Sequence, residues 1–332
     1  MKLLFIGGNG NISSSCSRLA LEQGHEVYVL TRGQSKDDLP EGIHRLTGDI
    51  NDLDQMRKVL KNMTFDAVAN FIAFHPDDIE RDIHLFEQKT DQYVFISSAS
   101  CYQKPLLHAR VTESTPLKNP HWQYSRDKIA CEDLLVKAYR EEDFPMTIIR
   151  PSLTYDTVIP VPIAGWKEYT VVDRIKKGLP VISHGEGTTL WTITHASDFA
   201  VGFVGLLGHQ QAIGHPFHIT SDELLSWDQI YQAVAAAVGT KAEIVHIPSA
   251  YLAARDDHLQ GSLVGDKAVS AVFDNSKIRT FVPEYNPTIT FKKGIERTIR
   301  WFESDVDRMV VSAASNEWVD GTIAAYRKAV AS

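Results

Sequence analysis

The stretch Lys2-Leu-Leu-Phe-Ile-Gly-Gly-Asn-Gly-Asn-Ile-Ser13 decides the fold of this chain. Its apolar run from Leu3 to Ile6 predicts a buried strand, and three glycines follow within four residues. Beyond the glycines, apolar side chains recur at helical spacing from Ile12 to Ala20. A strand, a glycine turn and a helix in this order predict a phosphate cradle, because the helix N-terminus presents unpaired N–H groups and a positive dipole end to an anion.

Two of the glycines have separate roles in this prediction. Gly7 lets the chain turn tightly, and Gly10 lets the backbone approach a pyrophosphate. Ser13 stands where a third glycine is usual, so the pattern is G-x-x-G-x-x-S. Such a turn also occurs as a simple strand-to-helix connection. Because it follows the first strand and precedes a second one closely, we interpret it as a dinucleotide site.

Length and composition are those of a globular protein. The 332 residues are 43% hydrophobic and 23% charged, and they suffice for one large domain or two joined ones. The net charge of -8 argues against nucleic acid or an anionic membrane as a general partner. Three cysteines make no disulfide framework, so we expect a cytoplasmic location. The spacings of common metal sites are absent, and we find no signal peptide or membrane span in the sequence.

The residues after the second predicted strand, Glu26–Arg32, indicate the choice of cofactor. An acidic side chain there would accept hydrogen bonds from a ribose 2′-hydroxyl and select NAD. The sequence instead has Thr31-Arg32-Gly33, with Lys36 close by. A guanidinium suits a 2′-phosphate, so we expect NADP, with NAD as the other possibility. Alternatively, Arg32 stacks on an adenine or points to solvent.

A third strand, Ile43–Leu46, leads to Asp49 and Ile50. The carboxylate can accept a hydrogen bond from the adenine amino group while Ile50 packs beside the ring. Equally, Asp49 or Asn51 caps the helix that starts near Leu53. Two more strands are predicted within residues 66–72 and 93–98, and the alternation with helical stretches predicts a parallel, doubly wound α/β sheet.

Candidate catalytic residues follow the fifth strand. Serines 97, 98 and 100 lie at a strand's carboxyl end, where ligands bind in open α/β sheets. Tyr124 and Lys128, at i and i+4, share one helical face. Because a free tyrosine has a pKa near ~10, a neighbouring ammonium is needed to stabilise its phenolate. A Y-x-x-x-K spacing also arises by chance. Here it occurs together with the glycine turn and the serines at the strand end, and this combination favours acid–base chemistry.

These motifs resemble, in order, those of the extended short-chain dehydrogenase/reductase superfamily, in its NAD(P)-dependent epimerase/dehydratase branch. The resemblance implies a Rossmann-type sheet with a smaller α/β substrate lobe, and Ser98, Tyr124 and Lys128 as the catalytic trio. Ser13 and Thr31-Arg32-Gly33 are similar to an atypical group that includes chloroplast stem-loop-binding proteins. The remaining residues that the resemblance assigns to the cofactor are Gly7, Gly10, Asn11, Ile12, Asp49, Ile50, Phe71 and Pro151.

The resemblance also divides the chain and suggests its assembly. We expect residues 1–155 and 181–220 in the nucleotide-binding domain, and residues 156–180 and 221–332 in the substrate lobe. Trp166 and the stretch 261–267 are candidate substrate-loop residues. Relatives often pair through the helix that carries the tyrosine and lysine, so a homodimer is possible.

Three functions remain open at this point. The first is an NADP-dependent oxidoreductase acting on a small-molecule alcohol or carbonyl. The second is a nucleotide-sugar epimerase or dehydratase that retains NAD. Leu190-Trp191-Thr192 argues against it, because an apolar ring stands where such enzymes place a basic clamp for the diphosphate. The third is a non-catalytic NADP-binding regulator or RNA-associated protein.

Overall fold

The computed structural model describes residues 1–33 and 39–331. Lys36, which we grouped with Arg32, lies outside these ranges. The strands, in chain order, are β1 (Lys2–Ile6), β2 (Glu26–Thr31), β3 (His44–Thr47), β4 (Ala67–Asn70), β5 (Tyr93–Ile96), β6 (Arg110–Val111), β7 (Met146–Pro151), β8 (Leu153–Tyr155), β9 (Val181–His184), β10 (Leu190–Trp191), β11 (Ile193–His195), β12 (Pro216–Ile219), β13 (Leu225–Ser226), β14 (Ile244–Ile247) and β15 (Val272–Phe273).

Helices connect most of these strands. They are α1 (Ser13–Glu22), α2 (Leu53–Val59), α3 (Pro76–Phe86), α4 (Gln123–Glu142), α5 (Thr170–Lys176), α6 (Ala196–Leu206), α7 (Trp227–Ala237), α8 (Ser249–Ala253), α9 (Asp257–Leu259), α10 (Ser276–Phe281), α11 (Phe291–Glu303) and α12 (Ala313–Val330). A π-helical segment, Gln260–Lys267, follows α9 directly.

The sequence prediction of a doubly wound parallel sheet is confirmed. Seven parallel strands lie in the order β12-β7-β5-β4-β1-β2-β3. The chain runs outward from β1 through β2 to β3 and then crosses to β4 on the other side of β1. This reversal opens a crevice at the carboxyl ends of β1 and β4, which is where ligands bind in such sheets.

The central strands form because they are apolar on both faces. Leu3 and Phe5 pack on one face of the sheet against α1 and α6, while Leu4 and Ile6 pack on the other against α3 and α4. Successive side chains of a strand point to opposite faces, so a continuous apolar run is buried on both sides. The result is a rigid support for the loops that follow β1, β4 and β5.

The smaller lobe has its own core, built mainly from α5, α7 and α11. Our domain prediction placed β9 in the nucleotide-binding part, within residues 181–220. In the structure β9 pairs with β14 instead of joining the seven-stranded sheet. The physical reason is that Val181 and Ile182 pack into the cores of the smaller lobe.

Candidate active site

The glycine turn after β1 has the geometry of a cradle. Gly7 has a φ of +75°, and a Cβ there would lie 2.5 Å from Ile72 Cγ2. Only glycine meets both conditions, since L-residues avoid this backbone region and a methyl group would overlap the neighbour. The first turn of α1 then leaves amide donors facing the crevice. The cradle therefore fits the pyrophosphate of a dinucleotide.

Ser13 replaces the usual third glycine by adding hydrogen bonds. Its hydroxyl donates to the Gly7 carbonyl at 2.6 Å and accepts from the Gly10 amide at 2.8 Å. The side chain is almost fully buried. The serine thus stabilises the turn with two hydrogen bonds, whereas a glycine at this position would make neither of them.

Asn11 ties the cradle to the segment after β8. Its amide group donates to the Thr154 carbonyl at 2.9 Å, and its carbonyl oxygen accepts from the amides of Asp156 and Thr157 at 2.9 and 3.0 Å. Because the side chain is engaged in these bonds, the group that Asn11 offers to a cofactor is its backbone amide. Ile12 lines the adjoining cavity and packs on the core.

The three predicted catalytic residues lie together at the carboxyl edge of the sheet. Ser98, just after β5, hydrogen-bonds the Tyr124 side chain, and its hydroxyl lies 2.9 Å from that of Ser100. Tyr124 is in the first turn of α4, with Lys128 one turn further on. The Lys128 ammonium lies 5.8 Å from the centre of the Tyr124 ring.

Burial shifts the pKa of both titrating residues. Desolvation raises the pKa of Tyr124 well above its ordinary value, and the hydrogen bond from Ser98 offsets part of that effect. Desolvation also lowers the pKa of Lys128 to about 8. Its ammonium donates to the carbonyls of Ala73 and Ile96 at 2.6 and 2.7 Å. The phenol of Tyr124 is therefore protonated near neutral pH. The Lys128 ammonium beside it is held in position by the two backbone carbonyls.

The neighbouring serine has a different partner. The Ser97 hydroxyl donates to Glu132, whose carboxylate is held by Arg150 in a buried two-point ion pair with a shortest distance of 2.6 Å. This bond leaves Ser98, rather than Ser97, as the hydroxyl that bonds Tyr124. Through its bond to Ser97, the ion pair of Glu132 and Arg150 fixes the position of the loop that follows β5.

One cavity of about 590 Å³ joins the cradle and the trio. The predicted residues that line it are Gly7, Gly10, Asn11, Ile12, Phe71, Ser98, Tyr124, Lys128 and Pro151. Trp166, Ser262, Asp266 and Lys267, from the predicted substrate-side stretches, line its far side.

Three predicted cofactor residues lie elsewhere. Arg32 and Asp49 follow β2 and β3 and do not line this cavity; Arg32 is exposed and Asp49 is half-buried. Asp49 lies in a shallow surface depression, where its carboxylate accepts from the Asn51 amide. Ile50 is 5% exposed and belongs to the core. The cap of α2 is Asp52, whose carboxylate accepts from the Gln55 amide, so neither Asp49 nor Asn51 has that role.

A carboxylate beside the trio was predicted only as part of the stretch 261–267 and was not singled out. Asp266 lines the cavity, and its negative charge contributes to the raised pKa of Tyr124. Its partners are Lys104 at 3.2 Å and Lys267 at 3.3 Å. Lys104 lies 162 residues away in the chain, and no local pattern joins such distant residues. Trp122 was also missed, although its position two residues before Tyr124 was a usable signal.

None of the helices in the described parts of the chain is long and apolar enough to cross a membrane. Within the same residues there is no cluster of three histidine, cysteine or acidic side chains that could hold a metal ion.

The chain is similar to known proteins in sequence and in fold. The model of a family described as NAD dependent epimerase/dehydratase matches residues 3–220. A chloroplast stem-loop binding protein of 41 kDa from Arabidopsis thaliana is 28% identical over 261 residues, which are 74% of this chain and 65% of that protein. A 2'-dehydrokanamycin reductase from Streptomyces kanamyceticus is 24% identical over 285 residues, covering 86% of this chain and 80% of the reductase.

The fold has many solved counterparts. The structure of a UDP-glucose 4-epimerase from Bifidobacterium longum with NAD+ and UDP superposes with a TM-score of 0.74, covering 93% of this chain and 100% of that one at 17% identity. A dTDP-glucose 4,6-dehydratase from Bacillus anthracis with NAD gives 0.72, at 92% and 98% coverage and 18% identity.

Proposed function

The chain belongs to the NAD dependent epimerase/dehydratase family, and from that premise we propose that it is an oxidoreductase that prefers NADP and reduces a small carbonyl compound. One observation carries the proposal: Ser98, Tyr124 and Lys128 line the same cavity as the glycine cradle. A bound reduced nicotinamide dinucleotide would supply the hydride and be oxidised. Gly7, Gly10 and the first turn of α1 would hold its pyrophosphate, and Lys128 its nicotinamide ribose.

Tyr124 acts as the proton donor in this proposal. Its raised pKa keeps the phenol protonated near neutral pH, which suits the reduction of a carbonyl to an alcohol. As the carbonyl oxygen gains electron density, the hydroxyl of Ser98 donates to it and Tyr124 passes its proton. The positive charge of the Lys128 ammonium, 5.8 Å from the centre of the Tyr124 ring, then stabilises the phenolate.

The preference for NADP rests on Arg32. Its side chain is exposed at the end of β2, and none of the described residues forms an ion pair with it. A guanidinium in this position is available for a 2′-phosphate. The curated reductase among the relatives supports net reduction as the type of reaction.

A second candidate is a dehydratase or epimerase that keeps its NAD. Asp266 favours it, because elimination of water needs a carboxylate near the substrate and this one lies close enough to Tyr124 to affect its pKa. However, Asp266 already forms ion pairs with two lysines, so its carboxylate is engaged within the protein.

The test is a screen of cyclic and aromatic aldehydes and ketones with NADPH and NADH, in wild type and in Tyr124→Phe. We expect net consumption of NADPH by the wild type and a loss of at least about a hundredfold in the variant, with unchanged cofactor affinity. Tyr139→Phe, an exposed residue on the same helix, is the control. Copurified NAD without net consumption would favour the second candidate, and equal turnover by Tyr124→Phe would contradict the proposed role.

A further inference from the structure

The tryptophan two residues before the catalytic tyrosine lies directly beside it. The ring centres of Trp122 and Tyr124 are 4.9 Å apart, with their planes tilted by 45°. The ring of Phe74 lies 6.4 Å from that of Tyr124. All three side chains line the cavity. Aromatic rings attract one another at such distances, so the catalytic phenol has two aromatic neighbours at the place where a substrate would bind.

Trp122 is held in position by the far side of the cavity. Two glycines of the π-helical segment, four residues apart, pack on it: a Cβ on Gly261 would lie 2.2 Å from the indole Cδ1, and one on Gly265 would lie 3.1 Å from the Trp122 Cβ. Asn119 fixes the segment by donating to the carbonyls of Gly265 and Ser100 at 2.7 and 2.9 Å. Trp122 itself is half-buried and lines the cavity, so part of its side chain is open to a ligand. Because the ring is already fixed, binding a ligand against it costs little side-chain entropy.

The charged groups on this side of the cavity are engaged with each other. Asp266 and Lys267 line it and pair at 3.3 Å. The Lys267 ammonium also lies 5.7 Å from the centre of the Trp122 ring. Lys104, the second partner of Asp266, is 4% exposed and does not line the cavity. Among the described residues that line this side, a charged substrate group would therefore find no lysine or arginine without an acidic partner.

The rest of the far side is mostly apolar. Three separate segments contribute to this wall, with Pro160, Val161, Pro162, Trp166, Trp191 and Phe273. Trp166 is 43% exposed, so its side chain is accessible to a ligand. A wall of this kind binds hydrocarbon surface, because removing that surface from water is favourable.

We propose that Trp122 makes the site selective for carbonyl compounds that carry an aromatic ring next to the carbonyl group. A carbonyl oxygen bonded to the Tyr124 hydroxyl brings its substituents close to the indole, because the two rings are 4.9 Å apart. An aromatic substituent gains from ring–ring attraction beyond the burial of its surface. The apolar wall suits such a ring better than a sugar, whose hydroxyl groups would lose their hydrogen bonds to water.

The selectivity deepens the proposed function and rests on it in one respect, namely that the bound aromatic compound is also the carbonyl that is reduced. It is tested with acetophenone and cyclohexyl methyl ketone, the same methyl ketone with an aromatic and a saturated ring. The saturated ketone is at least as apolar, so burial of surface alone would not favour acetophenone. Binding of each to the protein saturated with NADP⁺ is measured by calorimetry, and turnover is measured separately with NADPH. We expect the wild type to bind acetophenone about threefold to tenfold more tightly.

Two substitutions remove the aromatic contact in different ways. Trp122→Leu keeps an apolar side chain without a ring, and Gly261→Ala puts a methyl group where the indole lies, so that the indole has to move. We expect both variants to lose the preference for acetophenone, whereas Trp122→Phe, which retains a ring, should keep part of it. A purely structural role of Trp122 would instead weaken binding of the two ketones by the same factor.

The last helix offers matched controls. Trp318 in α12 is half-buried, as Trp122 is, and it does not line the cavity. A Cβ on Gly321 of the same helix would have no close neighbour among the described residues. Trp318→Leu and Gly321→Ala should therefore leave the preference for acetophenone intact.

The outcomes separate the two proposals. Tighter binding of acetophenone that is lost in Trp122→Leu and in Gly261→Ala supports the aromatic selectivity, even if neither ketone is reduced and the oxidoreductase proposal fails. Reduction of both ketones with equal affinity overturns the selectivity and leaves the oxidoreductase proposal standing. Absence of binding by either ketone, or a preference that survives in both variants, also overturns the selectivity.

Discussion

The two sides of the cavity differ in how their polar groups are satisfied. On the cradle side, the side chains of Ser13, Asn11 and Lys128 are each bonded to backbone groups of the protein. On the far side, Trp191 and Ser262 keep buried atoms with no partner in the described chain. The polar side chains of the cradle are therefore satisfied within the protein, whereas two buried polar atoms of the far side are not. A family can keep the first side and change its substrate through the second.

Backbone conformation repeats this contrast. At the cradle the left-handed position is taken by a glycine, Gly7, with a φ of +75°. At the far side Trp166, which is not a glycine, takes such a position with a φ of +61°. Trp166 is 43% exposed and lines the cavity, so core packing alone does not account for its conformation. Strain of this kind is typical of ligand-binding segments.

The largest expected effect is on the affinity of the cradle side for NADPH. Replacing Arg32 by alanine should weaken NADPH binding by about tenfold to a hundredfold, because a charge-assisted bond to the 2′-phosphate is lost. NADH binding should stay unchanged. Fluorescence titration with both cofactors measures the difference, with Arg140→Ala as the control from an exposed helical position. An equal loss of affinity for NADPH and NADH would mean that Arg32 does not bind the 2′-phosphate.

The next effect concerns Lys128, the buried lysine of the cradle side. The pKa of Lys128 is lowered to about 8 by burial, so the unfolded chain holds its proton up to a higher pH than the folded protein does. The folded state is therefore penalised below pH 8, and the penalty is relieved as the pH rises from 8 towards ~10.4, the ordinary lysine value. We expect the free energy of unfolding of the wild type to rise relative to Lys128→Met by up to about 1.4 kcal/mol per pH unit in that window. Denaturant unfolding at several pH values measures this difference, and a flat difference would show that the ammonium is not desolvated.

A smaller effect should report the strain at Trp166. Glycine accepts a positive φ, whereas alanine does not. We therefore expect Trp166→Gly to be more stable than Trp166→Ala by about 1 kcal/mol, the reverse of the usual order in regular structure. Thermal and urea unfolding compare the two. If alanine is the more stable of the pair, the left-handed backbone at this position is not maintained in solution.

The smallest effect should come from Asp156 at the cradle. Its carboxylate accepts from Ser15 in the first turn of α1 and lies 3.9 Å from the Nε2 atom of His195. A negative charge near the phosphate cradle opposes a second anion, although solvent weakens the effect. Asp156→Asn should tighten NADPH binding by about two- to threefold at low salt, with less gain at high salt. A loss of affinity in the variant would show that the carboxylate stabilises the cradle, through its hydrogen bond from Ser15, more than it repels the cofactor.

The sequence pointed to most of the cradle side and, on the far side, to Trp166 and the stretch 261–267, but not to the contacts that hold the far side together. The cradle, β1 and α4 follow from local rules: apolar runs, glycine positions and an i, i+4 pair. Hence most residues predicted from them do line the cavity. Ile50 is in the core instead, because an apolar residue near a strand end can pack inward as readily as against a ligand.

The far side depends on contacts that are distant in sequence. Asp266 meets Lys104 across 162 residues, and Gly261 matters because Trp122 presses on it. Similarly, β9 pairs with β14 across a long connection, and this pairing moved it out of the predicted domain. No periodicity within a short window encodes such pairings, so they become visible only in the folded chain.

The proposed function requires that the cavity which joins the cradle and the trio binds a nicotinamide cofactor. Trp122, Trp166 and Trp191 line that cavity, so a bound reduced nicotinamide should quench tryptophan emission. Titration of the purified protein with NADPH and NADH tests the claim most directly. The account predicts saturable quenching with energy transfer to the cofactor, tighter for NADPH, and a weaker signal in Trp122→Phe. Absence of a saturable change with either cofactor would contradict it.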